Sequence, residues 1–198
     1  TPHAQFIYPL AYFYKTRFPG NRYFMDPAIL AAVRALGDHI ILQIDASIKD
    51  PRNPTDSKGQ ICQRLLAFWM DAYVLVKSDL SPSACRTWET AMKRALLPLV
   101  KKLEGCMTQR YFNSYSFGTS ANHAILYAVA VCLGGRLLNK HGWRKLAETF
   151  TDRFVDSQHP DGYWPEHGGP VTSYTPVSVA GVARMAALLN KKSYKEAL

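Results

Sequence analysis

Acidic residues are scarce in this chain of 198 residues: 15 Asp and Glu stand against 24 Lys and Arg, a formal charge of +9. An excess of that size points to an anionic partner, which nucleic acid, an acidic polysaccharide or a membrane surface would supply. The basic residues are scattered, with no long Lys/Arg run and no nucleic-acid module signature, so a nucleic-acid partner is not expected. No apolar run reaches the roughly 18 residues that a bilayer span needs, so membrane insertion is not expected. A basic-then-apolar leader is missing from the front, and the chain opens on Thr1 rather than Met, as a trimmed or processed chain would. The four cysteines, Cys62, Cys85, Cys106 and Cys132, form no CxxC pair. That spacing signals no zinc site or other metal, while a disulfide between distant cysteines stays open; Cys62 and Cys132 read as small buried hydrophobes.

Strand signals are lacking as well. Hydrophobic residues make up 47% of the chain and charged residues 20%, enough apolar material for one sizeable core. Its period is helical almost throughout. Asp26-Pro27 opens "DPAILAAVRALGDHIILQI", and Ser81-Pro82 opens a helix that Pro98 should kink. Trp143, Leu146, Ala147, Phe150 and Phe154 form one stripe at helical spacing. The expected fold is all-α, a single domain over 1–198, with about seven helices in antiparallel hairpins around a common core. Leu66, Phe68, Trp69, Leu126, Val129, Leu133, Phe150 and Val179 are its expected core positions.

Two polar stretches interrupt this pattern. In "GTSANHAILYAVAVC" (118–132), Asn122 and His123 stand where small polar residues give way to a long apolar helix. Asn122 shares a face with Leu126, Val129 and Leu133, while His123 is turned about 100° away onto the strip of Tyr127. In the plain structural alternative, Thr119 or Ser120 caps this helix and the Asn-His pair satisfies nearby carbonyls. The second stretch, "SQHPDGYWPEHGGPVTSY", gathers Tyr163, Trp164, Glu166, His167 and Tyr174 around an Asp161-Gly162 turn. Loop aromatics of this kind stack on sugar rings, or, in the case of Trp164, plug the end of the core.

"SANHAI", followed some forty residues later by Gln158-x-x-Asp161-Gly162-x-x-x-Glu166 and then Tyr174, resembles the α/α-toroid polysaccharide lyases, the alginate lyase and heparinase II/III-like enzymes. The likeness runs over 118–189. "FVDSQHPDGYW" is also similar to the Gln-Trp repeat of terpene-cyclase toroids. The resemblance implies an α/α toroid, incomplete or part of a longer protein, and a carbon-oxygen lyase cleaving a uronic-acid-containing glycan by β-elimination. It implies Asn122, His123 and Tyr174 as catalytic residues, and Tyr163, Trp164, Glu166 and His167 as substrate-binding ones. An acidic poly- or oligosaccharide is then the partner, no cofactor or metal is called for, and a secreted or periplasmic location follows. Two departures stand out. His167 occupies the stretch where alginate-type enzymes carry Arg, with no Arg from 154 to 183, and the β-rich C-terminal domain of such lyases is missing. They keep a non-catalytic glycan-binding or scaffold toroid in view. A toroid glycoside hydrolase is the further alternative; it needs two carboxylates across a groove, which Asp161 and Glu166 in one loop do not securely provide. The acidic initiating clusters of terpene cyclases are absent.

Overall fold

A computed structural model of the chain describes residues 5–49, 63–108, 120–166 and 171–198. Every regular element among them is helical: α1 (Ile7–Lys15), α2 (Pro27–Lys49), α3 (Gln63–Val76), α4 (Pro82–Met107), α5 (Ala121–Leu137), α6 (His141–Asp156), α7 (Thr175–Leu189) and the short α8 (Lys192–Glu196). The all-α class follows directly. The chain forms two compact units, 1–95 and 96–198, and the division falls inside α4, one turn before Pro98. Pro98 has no N–H to donate, so the helical ladder loses a bond there.

In unit 1 the helix starts follow local chemistry. Asp26 Oδ1 accepts the Ala28 N–H at 2.8 Å, with Pro27 at the first helical position of α2. Ser81 Oγ accepts the Ala84 N–H at 3.2 Å at the start of α4. Each such cap stabilises its helix by about 1 kcal/mol. Between α1 and α2, Asn21 Nδ2 donates to the carbonyls of Phe13 and Thr16, both at 2.7 Å, and its Oδ1 accepts the Tyr23 N–H. Met25 takes a left-handed backbone (φ 55°), held there by its N–H donating to Tyr14 O at 2.8 Å. The core gathers Trp69, Tyr73 and Trp88, with the Trp88 ring 5.6 Å from Trp69 and 5.9 Å from Tyr73. Trp88 Nε1 donates to Asp38 Oδ1 at 3.0 Å, so its polar edge is satisfied while its rings are buried.

Unit 2 is organised around α5, which is buried on nearly its whole circumference. Small residues make that possible. Gly134 lies against Leu96, Gly135 against the α6 backbone at Arg144, and Gly181 of α7 against Ile125. A short turn with Asn139 in the left-handed region (φ 53°) returns the chain as α6, which buries Ala147, Phe150, Thr151 and Phe154. Beyond α7, Lys191 pairs with Asp152 at 2.6 Å and Glu148 at 3.1 Å, and the buried Tyr194 hydroxyl donates to Asp152 at 2.7 Å.

The helical phasing read from the sequence holds at Leu66, Trp69, Val129, Leu133 and Phe150, which are buried, while Leu126 and Val179 are half-buried. Phe68 corrects it. Its ring is 38% exposed and lies against Tyr8 of α1 at 6.5 Å, at the edge of the packed face. Cys106 and Cys132 are buried, Cys85 is partly exposed, and Cys62 lies outside the described residues. Burial pushes the Cys106 and Cys132 thiols above their ordinary pKa. The stretch Pro27–Ala46 of α2 is long and apolar enough to cross a membrane by length and composition alone. Arg34, Asp38 and Asp45 interrupt it, so it holds no unbroken apolar run.

Two predictions test this packing. A methyl group at Gly37 would run into the Trp88 ring, whereas one at Gly105 meets open space in the same kind of helical backbone. Gly37→Ala should therefore lower unfolding stability by about 1–3 kcal/mol. Gly105→Ala should raise it by about 0.5–1 kcal/mol, and urea titration of both variants measures the contrast. The second concerns pH. The hydrogen bond from Lys191 holds the Glu148 carboxyl below its usual range. For Asp152 burial pushes upward, but hydrogen bonds from Lys191 and Tyr194 outweigh it and hold the group low too. Their contribution is thus complete above the unfolded carboxylate values of about 4 and is lost as the pH falls through the lower folded values. Lys191→Met should remove about 1 kcal/mol at neutral pH, after allowance for solvent screening, and flatten the fall in stability on acidification.

Candidate functional site

The polar mouth of α5 has a structural explanation that starts from its backbone. The first turn of any helix leaves N–H groups without partners inside the helix. Ser120, the N-cap, is extended (φ −71°, ψ 152°) and makes no side-chain cap; its hydroxyl donates instead to Asn122 Oδ1 at 2.7 Å. The capping acceptor comes from 44 residues further along the chain. Glu166 Oε1 accepts the Asn122 N–H at 2.6 Å, and both residues are buried. A carboxylate at this end of a helix also meets the positive pole of the helix dipole. The second oxygen of Glu166, Oε2, is buried with no hydrogen-bond partner among the described residues.

The same loop closes the neighbouring helix. Trp164 Nε1 donates to Phe154 O at 2.7 Å, in the last turn of α6, and its ring stacks on Phe154 at 5.1 Å. The loop itself is held by His159 N–H to Tyr163 O and Gly162 N–H to His159 O, each 2.8 Å, with Gly162 at φ 84°. Gln158 Nε2 donates to the carbonyls of Gly162 and Ala197, both at 3.0 Å, tying the loop to the C-terminal residues. The His159 imidazole stacks on Tyr163 at 4.4 Å. So 157–166 supplies an acceptor to the start of α5 and a donor to the end of α6.

The expected site residues separate accordingly. Asn122 and Glu166 meet. Trp164 is 1% exposed and spends both its face and its N–H inside unit 2, which is the core-plug arrangement rather than a stacking surface. Tyr163 is half-buried against His159. His123 is half-exposed one residue beyond Asn122, its backbone N–H on Ser120 O at 3.0 Å. Tyr174 is 42% exposed at the start of α7, its N–H on Val171 O, and no hydrogen bond joins it to Asn122 or Glu166 among the described residues. His167 lies outside the described residues.

Three groups in unit 2 have no role assigned from the sequence. Tyr127 follows His123 by four residues, on the same strip of α5, with the Lys102 ammonium 4.9 Å from its ring centre and 3.4 Å from its hydroxyl. The i, i+4 spacing pointed to Tyr127; nothing in the sequence pointed to Lys102, which arrives from α4. Ser178 of α7 is buried with its hydroxyl unpartnered among the described residues. No group of three or more His, Cys, Asp or Glu side chains is placed to hold a metal ion among the described residues. Compared with family models, with curated proteins and with solved structures, the chain matches none.

The Glu166 cap is testable by its asymmetry. Glu166→Ala strands the buried Asn122 N–H and should cost about 1–3 kcal/mol of stability. Glu166→Gln keeps a carbonyl acceptor at the same distance and should cost distinctly less. Thermal melts of the two variants should separate them, and equal melting points would show that the carboxylate does not cap α5.

Proposed function

We propose that this chain is the helical part of a polysaccharide lyase-like enzyme, arranged as an α/α toroid and acting on an acidic, uronate-containing glycan. One observation carries the reading. Asn122 and Glu166, the anchors of the two motif stretches, meet at the opening of α5 through a 2.6 Å hydrogen bond across 44 residues of sequence. The net charge of +9 favours an anionic substrate. The chemistry is β-elimination. A base takes the proton from C5 of the uronate, the C4–C5 double bond forms, and the bond from C4 to the glycosidic oxygen breaks. The leaving oxygen then takes up a proton. Charge builds on the carboxyl group during the first step and needs donors already in place. Asn122 and a protonated His123 suit that task, and His123 in its neutral form is a base. Tyr174, whose ring is accessible, is the proposed carrier of the proton; Glu166 has the supporting role of holding the start of α5. A secreted or periplasmic location goes with this reading.

A second reading, a non-catalytic glycan-binding toroid, draws on the burial of Asn122, Trp164 and Glu166, where the Asn122 N–H, Glu166 Oε1 and the Trp164 N–H are engaged at helix ends. One experiment separates the two. The protein is incubated with a panel of acidic glycans, and the ultraviolet absorbance of the unsaturated product is followed. Lyase activity should appear with at least one glycan, and Tyr174→Phe should slow it by about 10²-fold or more while melting like the wild type. Binding without product would support the non-catalytic reading. Full activity in Tyr174→Phe would remove Tyr174 from the mechanism, and loss in Tyr127→Phe alone would transfer its role to the tyrosine beside Lys102.

A further inference from the structure

Unit 1 carries a surface that the lyase reading does not use. α1 is apolar on all sides: Ile7, Ala11 and Tyr14 are buried, and Lys15, at its end, is its only charged residue. Its outer side leaves Phe6, Tyr12 and Phe13 exposed, and the turn that follows adds Phe18, Phe24 and Met25. These rings hold one another in place, with Phe13 5.9 Å from Phe18 and 6.2 Å from Tyr23, and Tyr12 6.4 Å from Phe18. A preformed apolar ridge of this kind is uncommon on a solvated monomer and marks a docking surface.

The charges on the ridge indicate the occupant. Arg17 lies over the Phe24 ring at 5.9 Å and Arg22 over Tyr23 at 5.2 Å, and neither is paired with a carboxylate among the described residues. Residues 1–25 contain no Asp or Glu at all. The partner is therefore anionic. It must also cover phenylalanine and methionine, which gain by contact with hydrocarbon and offer sugar hydroxyls no hydrogen bond. Asn21, the one amide of the turn, has both its amide hydrogens and its oxygen committed to the backbone. We propose that the aromatic and arginine face formed by α1 and the 16–26 turn docks on the surface of an anionic lipid bilayer. The rings enter the boundary between headgroups and acyl chains, and Arg17 and Arg22 meet the lipid phosphates.

Co-sedimentation with vesicles tests this on the full chain, using phosphatidylcholine alone and phosphatidylcholine with about one-third phosphatidylglycerol. The wild type should pellet with the anionic vesicles and remain in the supernatant with the neutral ones. Arg17→Glu/Arg22→Glu and Phe18→Ser/Phe24→Ser change exposed residues only, and circular dichroism should show both variants helical. Each should weaken vesicle binding by about 10-fold or more. A wild type that ignores both vesicle types overturns the proposal, as does either folded variant binding like the wild type. Two further results overturn it as well. One is capture of a soluble polyuronate, but not vesicles, through these residues; the other is a dimer in sedimentation velocity that Phe18→Ser/Phe24→Ser breaks.

Discussion

Unit 2 depends on how one loop settles the ends of two helices. α5 is buried nearly all round, so the free N–H groups of its first turn cannot all turn to water. Its own N-cap serine does not meet that need, and the buried carboxylate of Glu166 does. Two residues earlier, Trp164 bonds the last turn of α6 and stacks on Phe154. Without these two bonds the hairpin of α5 and α6 would bury unsatisfied polar groups at one end, at a cost of a few kcal/mol.

That arrangement constrains where chemistry can take place. Polar atoms spent on capping are not available to a substrate: of the residues proposed to act, Tyr174 is accessible and His123 half-exposed, while Asn122 is buried with its N–H and Oδ1 already engaged. Tyr127 and Lys102 form a second pair one turn further into α5. Close packing around these groups rests on glycine: Gly181 admits Ile125, whose methyl would lie 2.7 Å from any added Cβ.

What the sequence made legible is what local chemistry decides. Asp26-Pro27 and Ser81-Pro82 announce helix starts because cap and helix lie within a few residues, and both caps form. The all-α class follows from periodicity alone. The cap of α5 was hidden because its acceptor lies 44 residues away, and the small polar residues just before the helix pointed to a local cap instead. Trp164 in a polar, Gly/Pro-rich loop suited a sugar platform and a core plug equally; the N–H bond to Phe154 O, a tertiary fact, separates them. Phe68 went astray for a related reason: a helix apolar on more than one face gives periodicity no side to choose. No local signal announced that the two motif stretches would meet at the start of α5.

The buried bond between Glu166 and the Asn122 N–H makes that single amide a reporter of the loop. Its proton can exchange with solvent only when the carboxylate withdraws or the first turn of α5 frays. Backbone order at the helix start and loop position are therefore one equilibrium rather than two. A molecule that drew the loop outward would loosen α5 from its first turn, and one that pressed it inward would slow the exchange.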